Sequence, residues 1–178
     1  MHSETAHKLD DLVVSCTTAL FEAHGWPVQL CPSAGAAITE PSIVASIGFS
    51  GEILRGSLLL RASAESFRLS LPTEIAVLLD NDDATSDWAG ELANQLLGRL
   101  KNQLAHHAVE VFLSTPVVVI GRELRHVASS PVRTRDHVFA GKTGVIRITL
   151  EAMVPPDFVL TLAAGGDTGI AEGELALF

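Results

Sequence analysis

At 178 residues and 18.8 kDa the chain is long enough for one domain with its own core, and it needs no disulfide or metal staple. Hydrophobic residues at 47% and charged residues at 19% exclude a disordered or collagenous chain. Twelve Lys plus Arg against 21 Asp plus Glu leave a formal charge of −9, which argues against nucleic acid or an anionic membrane as partner.

Two cysteines, Cys16 and Cys31, are too few for a disulfide framework and read as small buried thiols in a reducing compartment. The longest apolar runs, such as Val117-Val118-Val119-Ile120, fall far short of the roughly 20 residues a membrane span needs. Met1-His2-Ser3-Glu4-Thr5-Ala6-His7-Lys8 leads into no apolar stretch of the secretory kind, so the expectation is a cytoplasmic protein.

In chain order, residues 3–24 carry a helical period. Leu9, Leu12, Val13, Cys16 and Leu20 share one stripe, Asp10, Asp11 and Glu22 lie off it, Ser3 suits the N-cap, and Gly25 with Pro27 ends the helix. A short strand is expected around Val28 to Cys31. Residues 43–61 read as a hairpin: Ile43, Ala45, Ile47 and Phe49 alternate on one arm and Leu54, Gly56, Leu58 and Leu60 on the other, around Ser50-Gly51. Gly48 and Gly56 inside the arms allow close backbone approach. Short helices are expected at Ala64 to Leu69 and Thr73 to Leu79, and a long one at Ala84 to His106. Strands follow at Val109 to Ser114, Val117 to Gly121, His137 to Ala140, Val145 to Leu150 and Phe158 to Leu162. This order is α+β, with no parallel βαβ rhythm. Residues 1–163 read as one domain and 164–178 as a mobile tail.

Several tempting signals fail. Gly141-Lys142-Thr143 is no phosphate loop, because that motif requires glycine where Asp136 stands. Gly48-Phe49-Ser50-Gly51 lacks the second flanking glycine of a nucleophile elbow. Adjacent His106 and His107 project about 100° apart on a helix, so they do not share an ion, and no metal site is expected.

The long helix is the informative element. With Asn94 at zero and about 100° per residue, Trp88, Ala89, Leu92, Ala93, Leu96, Leu97, Leu100 and Leu104 fill one broad arc. Asp87, Glu91, Asn94, Gly98 and Lys101 form a ridge opposite to it. Asn and Gly are poor helix formers, and Gly98 costs about 1 kcal/mol against alanine. Spacing alone also describes the plain solvated face of an amphipathic helix, whereas Asn and Gly on that face suit close approach by another molecule.

Asp87-x3-Glu91-x2-Asn94, a glycine four residues on, and Ser114-Thr115-Pro116-Val117-Val118-Val119-Ile120-Gly121 together resemble the CheC/CheX/FliY phosphatases of bacterial chemotaxis. Leu71-Pro72-Thr73-Glu74-Ile75-Ala76 and the Ser50-Gly51 hairpin fit the same pattern. The likeness is carried mainly by residues 43–121, and 21 residues separate Asn94 from Pro116, one fewer than the family pattern. CheC-type members carry two motif helices. Here only Asn94 follows a glutamate at the required spacing, and the first helix would be the degenerate partner, so the chain is most similar to the CheX type.

The resemblance implies two long helices packed on a largely antiparallel sheet, and a homodimer joined through sheet edges. It implies hydrolysis of the aspartyl phosphate on a CheY-type receiver domain, with Mg2+ carried by the receiver and no cofactor on this chain. Asn94 would orient the attacking water and Glu91 would pair with the receiver's lysine as the second catalytic residue. Asp87, Gly98 and Lys101 would contact the partner. A receiver-binding adaptor or flagellar-switch scaffold without catalysis would present the same ridge and is the alternative.

Overall fold

Apolar alternation and helical periodicity set most of the elements. The computed structural model describes residues 3–31, 38–73, 82–128 and 133–162. The helix expected from Thr73 to Leu79, beyond Thr73 itself, and the tail expected over 164–178 lie outside the described residues. The chain runs α1 (Ser3–Ala23), β1 (Val28–Leu30), β2 (Ser42–Ser50), β3 (Arg55–Ser63), α2 (Ala64–Leu69) and α3 (Asp82–Ala105). It continues through β4 (Phe112–Leu113), β5 (Val117–Gly121), β6 (Arg133–Gly141) and β7 (Gly144–Met153).

The seven strands among the described residues form one sheet in the order β1-β6-β7-β3-β2, with β4 and β5 both on the far side of β2, and every pairing is antiparallel. Ile43, Ala45 and Ile47 of β2, Leu58 and Leu60 of β3, and Ile146 and Ile148 of β7 point to the face that α1 and α3 cover. Leu92, Leu96, Leu97 and Leu100 of α3 are fully buried there. Each such side chain contributes about 1.5–3 kcal/mol over its exposed state. The wheel arc of α3 is the buried arc, and the α+β architecture of two long helices on an antiparallel sheet is the one observed.

Four details differ from the sequence expectation. Ser3 is the first residue of α1 rather than its cap. Val109 and Val111 fill the core as loop residues, and only Phe112 and Leu113 pair as a strand. Strands β6 and β7 are longer than their apolar cores, because polar residues such as Thr134 and Asp136 pair with Glu151 and Thr149. Phe158 to Leu162 forms no strand. Its backbone bonds to α1 side chains instead: the Thr5 hydroxyl donates to the Phe158 carbonyl (3.1 Å) and accepts from the Leu160 amide (3.1 Å), and Lys8 Nζ donates to the Leu160 carbonyl (2.9 Å).

The contact between α1 and β6 carries a pH response. His137 of β6 is buried, and its Nε2 lies 3.5 Å from Asp10 Oδ1, too far for a well-formed hydrogen bond. Burial therefore prevails over the attraction of Asp10 and Asp136, aided by the Arg135 cation, and holds the imidazole below its ordinary value of 6.5. The native state keeps this ring neutral while the unfolded chain takes up the proton first. Stability should fall as pH drops through about 6.5 and level off only below the lowered native value. In denaturant titrations across that range, a His137→Gln variant should lose this component of the slope.

Candidate functional site

The site is built on the outward face of α3 and on the chain that flanks it. Asp87, Glu91 and Asn94 are exposed, while Gly98 and Lys101 are half-buried. Trp88, Leu92 and Leu96 anchor the opposite face in the core. The five residues expected to act together therefore share one ridge, at spacings that make Glu91, Asn94 and Gly98 neighbours on successive turns. A Cβ at Gly98 would meet no heavy atom within 4 Å, so the ridge is open above it.

The far edge of β2 positions the segment beside this ridge. Phe112 and Leu113 pair with Ser50 and Phe49, and Val117 to Gly121 pair with Ser46 to Ser42. The ladder breaks between them because Pro116 has no N–H to give. Ser114 fills the gap: its amide donates to the Gly48 carbonyl (2.9 Å), and its Oγ accepts from the Gly48 amide (2.9 Å).

Pro116 and Val118 seat on α3 at Gly90, a buried position where a Cβ would lie 3.3 Å from Val118 Cγ2 and 3.8 Å from Pro116 Cγ. About three turns further along the flank, Lys101 Nζ stands 6.0 Å from the ring of Phe112, which is 64% exposed. At that distance the cation–ring attraction is weak, and the observation that matters is an exposed aromatic beside the ridge.

On the other flank α1 ends against α3. Gln95 Nε2 donates to Glu91 Oε1 at 2.7 Å, and Gln95 Oε1 lies 2.8 Å from His24 Nε2. The His24 ring stands edge-on to Trp88, centroids 5.0 Å apart. A cavity of about 550 Å³ opens elsewhere, on the sheet face away from the helices, among Ser46, Leu59, Arg61, Val119, Arg147 and Thr149. The ridge lines none of it. A convex, polar helix face flanked by an exposed phenyl suits a macromolecular surface better than an enclosed small molecule.

Gly90, Gln95, His24 and Phe112 were not expected at the site. Gln95 had a sequence signal in its i,i+4 spacing from Glu91. Gly90, His24 and Phe112 had none, because each enters through a contact distant in sequence.

A family profile described as "Chemotaxis phosphatase CheX" matches residues 43–135, more than half of the chain, and spans the ridge, Pro116 and strands β2 to β5. The chain belongs to the CheX family. A search of curated protein sequences gives no match. Among solved structures, the chemotaxis protein CheX from Vibrio vulnificus superposes with a TM-score of 0.68 at 17% identity, over 82% of this chain and 96% of that one. The CheX-CheY-BeF3-Mg2+ complex from Borrelia burgdorferi matches with a TM-score of 0.57 at 10% identity, over 80% of this chain and 96% of that one. FliY from Thermotoga maritima gives a TM-score of 0.57 at 14% identity, over 85% and 91%. At such identities the structural likeness speaks for the fold, and the CheX profile match carries the family. No helix among the described residues is long and apolar enough to cross a membrane.

Proposed function

We propose that this CheX-family chain accelerates loss of the aspartyl phosphate from a CheY-type receiver domain, with Asn94 and Glu91 as the residues that carry it. The observation behind the reading is the exposed Glu91–Asn94 pair on a rigid, core-anchored helix, beside the Pro116 segment. In-line attack by water on a phosphoryl group requires little covalent chemistry from the protein, so placing the water is most of what it can add. The Asn94 carboxamide offers both a donor and an acceptor, and orients water without a charge that repels the phosphoryl oxygens. Glu91, one turn away, pairs with a lysine of the receiver and fixes the docking register. Asp87, Gly98 and Lys101 complete the contact surface.

The phosphoryl-side Mg2+ belongs to the receiver, as the Borrelia CheX complex, which contains CheY, BeF3 and Mg2+, makes reasonable. This chain contributes no cofactor of its own. The test is a screen of purified phosphorylated receiver domains from the same cell. Shortened phosphate lifetime on at least one receiver supports the reading, and unchanged lifetimes throughout count against it.

The working unit in this reading is a homodimer joined at β5. That strand pairs with β2 on one side and has no strand on its other side among the described residues. Val117, Val119 and Ile120 on it are 63%, 48% and 45% exposed. A long apolar edge is a liability unless a second strand covers it, and a two-fold axis would pair one copy of β5 with another. Val119→Lys should weaken dimerisation by at least about tenfold, read by sedimentation velocity across concentration. A variant as dimeric as the wild type, or a wild type that is monomeric, would remove this arrangement.

A further inference from the structure

The first helix carries no Glu-x-x-Asn of its own, yet its end reaches the ridge. We propose that Gln95 and His24 are positioning residues that hold the Glu91 carboxylate in its docking orientation before the partner arrives. This rests on the docking role of Glu91 proposed above.

Gln95 follows Glu91 by four residues and lies on the α1 side of the ridge. An ionised carboxylate only accepts hydrogen bonds, so the amide must turn its N–H to Glu91, at 2.7 Å. Its carbonyl then faces His24 at 2.8 Å, which requires the proton on His24 Nε2. The chain of donors runs one way, from imidazole to amide to carboxylate.

His24 is itself fixed. It follows the last turn of α1, where the His24 amide bonds to the Leu20 carbonyl (3.3 Å) and the Gly25 amide to the Glu22 carbonyl (2.9 Å). Gly25, at φ +70°, turns the backbone away in the left-handed conformation that glycine accepts without strain. The ring edge of His24 rests on Trp88, at an interplanar angle of 88°. Trp88 Nε1 donates to Ser70 Oγ (3.0 Å), and that hydroxyl donates to the Phe67 carbonyl (2.8 Å). A carboxylate on an exposed helix face would otherwise sample several rotamers, and a partner would have to order it. Here one oxygen is engaged by Gln95, and the other remains for the partner's cation.

The experiment is single-turnover dephosphorylation of a responsive phosphorylated receiver domain, titrated with the wild type, Gln95→Leu, His24→Phe, Glu91→Ala and the Gln95→Leu/Glu91→Ala double variant. Gln95→Leu should raise the half-saturating concentration by about 3- to 10-fold, the scale of one newly mobile side chain at an interface, and leave the saturated rate unchanged. His24→Phe keeps the ring and loses the donor, and should shift the same quantity in the same direction by less. In the Glu91→Ala background, Gln95→Leu should add nothing.

An unchanged half-saturating concentration in Gln95→Leu, or an equal effect with and without Glu91, overturns the inference. If the wild type shortens no phosphate lifetime, the phosphatase reading fails by itself. Affinity for a beryllofluoride-charged receiver then decides the inference: the same 3- to 10-fold loss in Gln95→Leu keeps it, and no loss overturns it.

Discussion

Asn94→Ala should slow hydrolysis of the receiver's aspartyl phosphate by on the order of 100-fold, the cost of losing placement of a reactant. The side chain lies on the exposed face of α3 and carries no packing, so the variant should unfold within about 0.5 kcal/mol of the wild type. Affinity for the receiver should change little, because one solvated carboxamide contributes modestly to a whole interface. Glu91→Ala separates from it by the other measurement. Loss of that carboxylate leaves the receiver's lysine unpaired and should weaken docking by on the order of tenfold or more. Saturated rate and half-saturating concentration, taken from one single-turnover titration, distinguish the two. An Asn94→Ala protein as fast as the wild type would move the adaptor reading ahead of catalysis.

Gly56→Val should have the largest effect on folding. Gly56 lies in β3 between Phe49 of β2 and Ala152 of β7, and a Cβ there would run into the Glu151 carbonyl oxygen. Relief requires separating the backbones of β3 and β7, the central pair of the sheet on which Leu58, Leu60, Ile146 and Ile148 are mounted. The same shift disturbs Glu151, which accepts from Ser57 at 3.0 Å and contacts His126 Nε2 at 2.6 Å. A loss beyond about 3 kcal/mol is expected, a large share of the 5–15 kcal/mol that holds a typical domain. Urea unfolding of the purified variant measures it. A midpoint within error of the wild type would mean that the strands separate at little cost.

The ridge was legible because burial alone decides the rotation of a helix like α3. Eight apolar residues at helical spacing leave one direction for Glu91 and Asn94. The β2–β3 pair was legible for the corresponding reason at period two, and Gly56 already suggested a close backbone approach. Tertiary partners were not legible. Phe158 to Leu162 has the composition of a strand, but its backbone partners are Thr5 and Lys8, more than 150 residues earlier in the chain. On the wheel Gly90 borders the polar ridge, and nothing local says that Pro116 will cover it. Gly98, the glycine that the pattern singles out, is the open one. His24 enters the site across 71 residues, through a hydrogen bond that no periodicity encodes.

The most direct test compares phosphate lifetimes at full occupancy. A phosphorylated receiver is held entirely in complex with the wild-type chain, occupancy is verified by fluorescence anisotropy, and phosphate loss is followed beside the free receiver. Water placement by Asn94 should make the lifetime in the complex at least about tenfold shorter than that of the free receiver. Equal lifetimes in the bound and free states would contradict it.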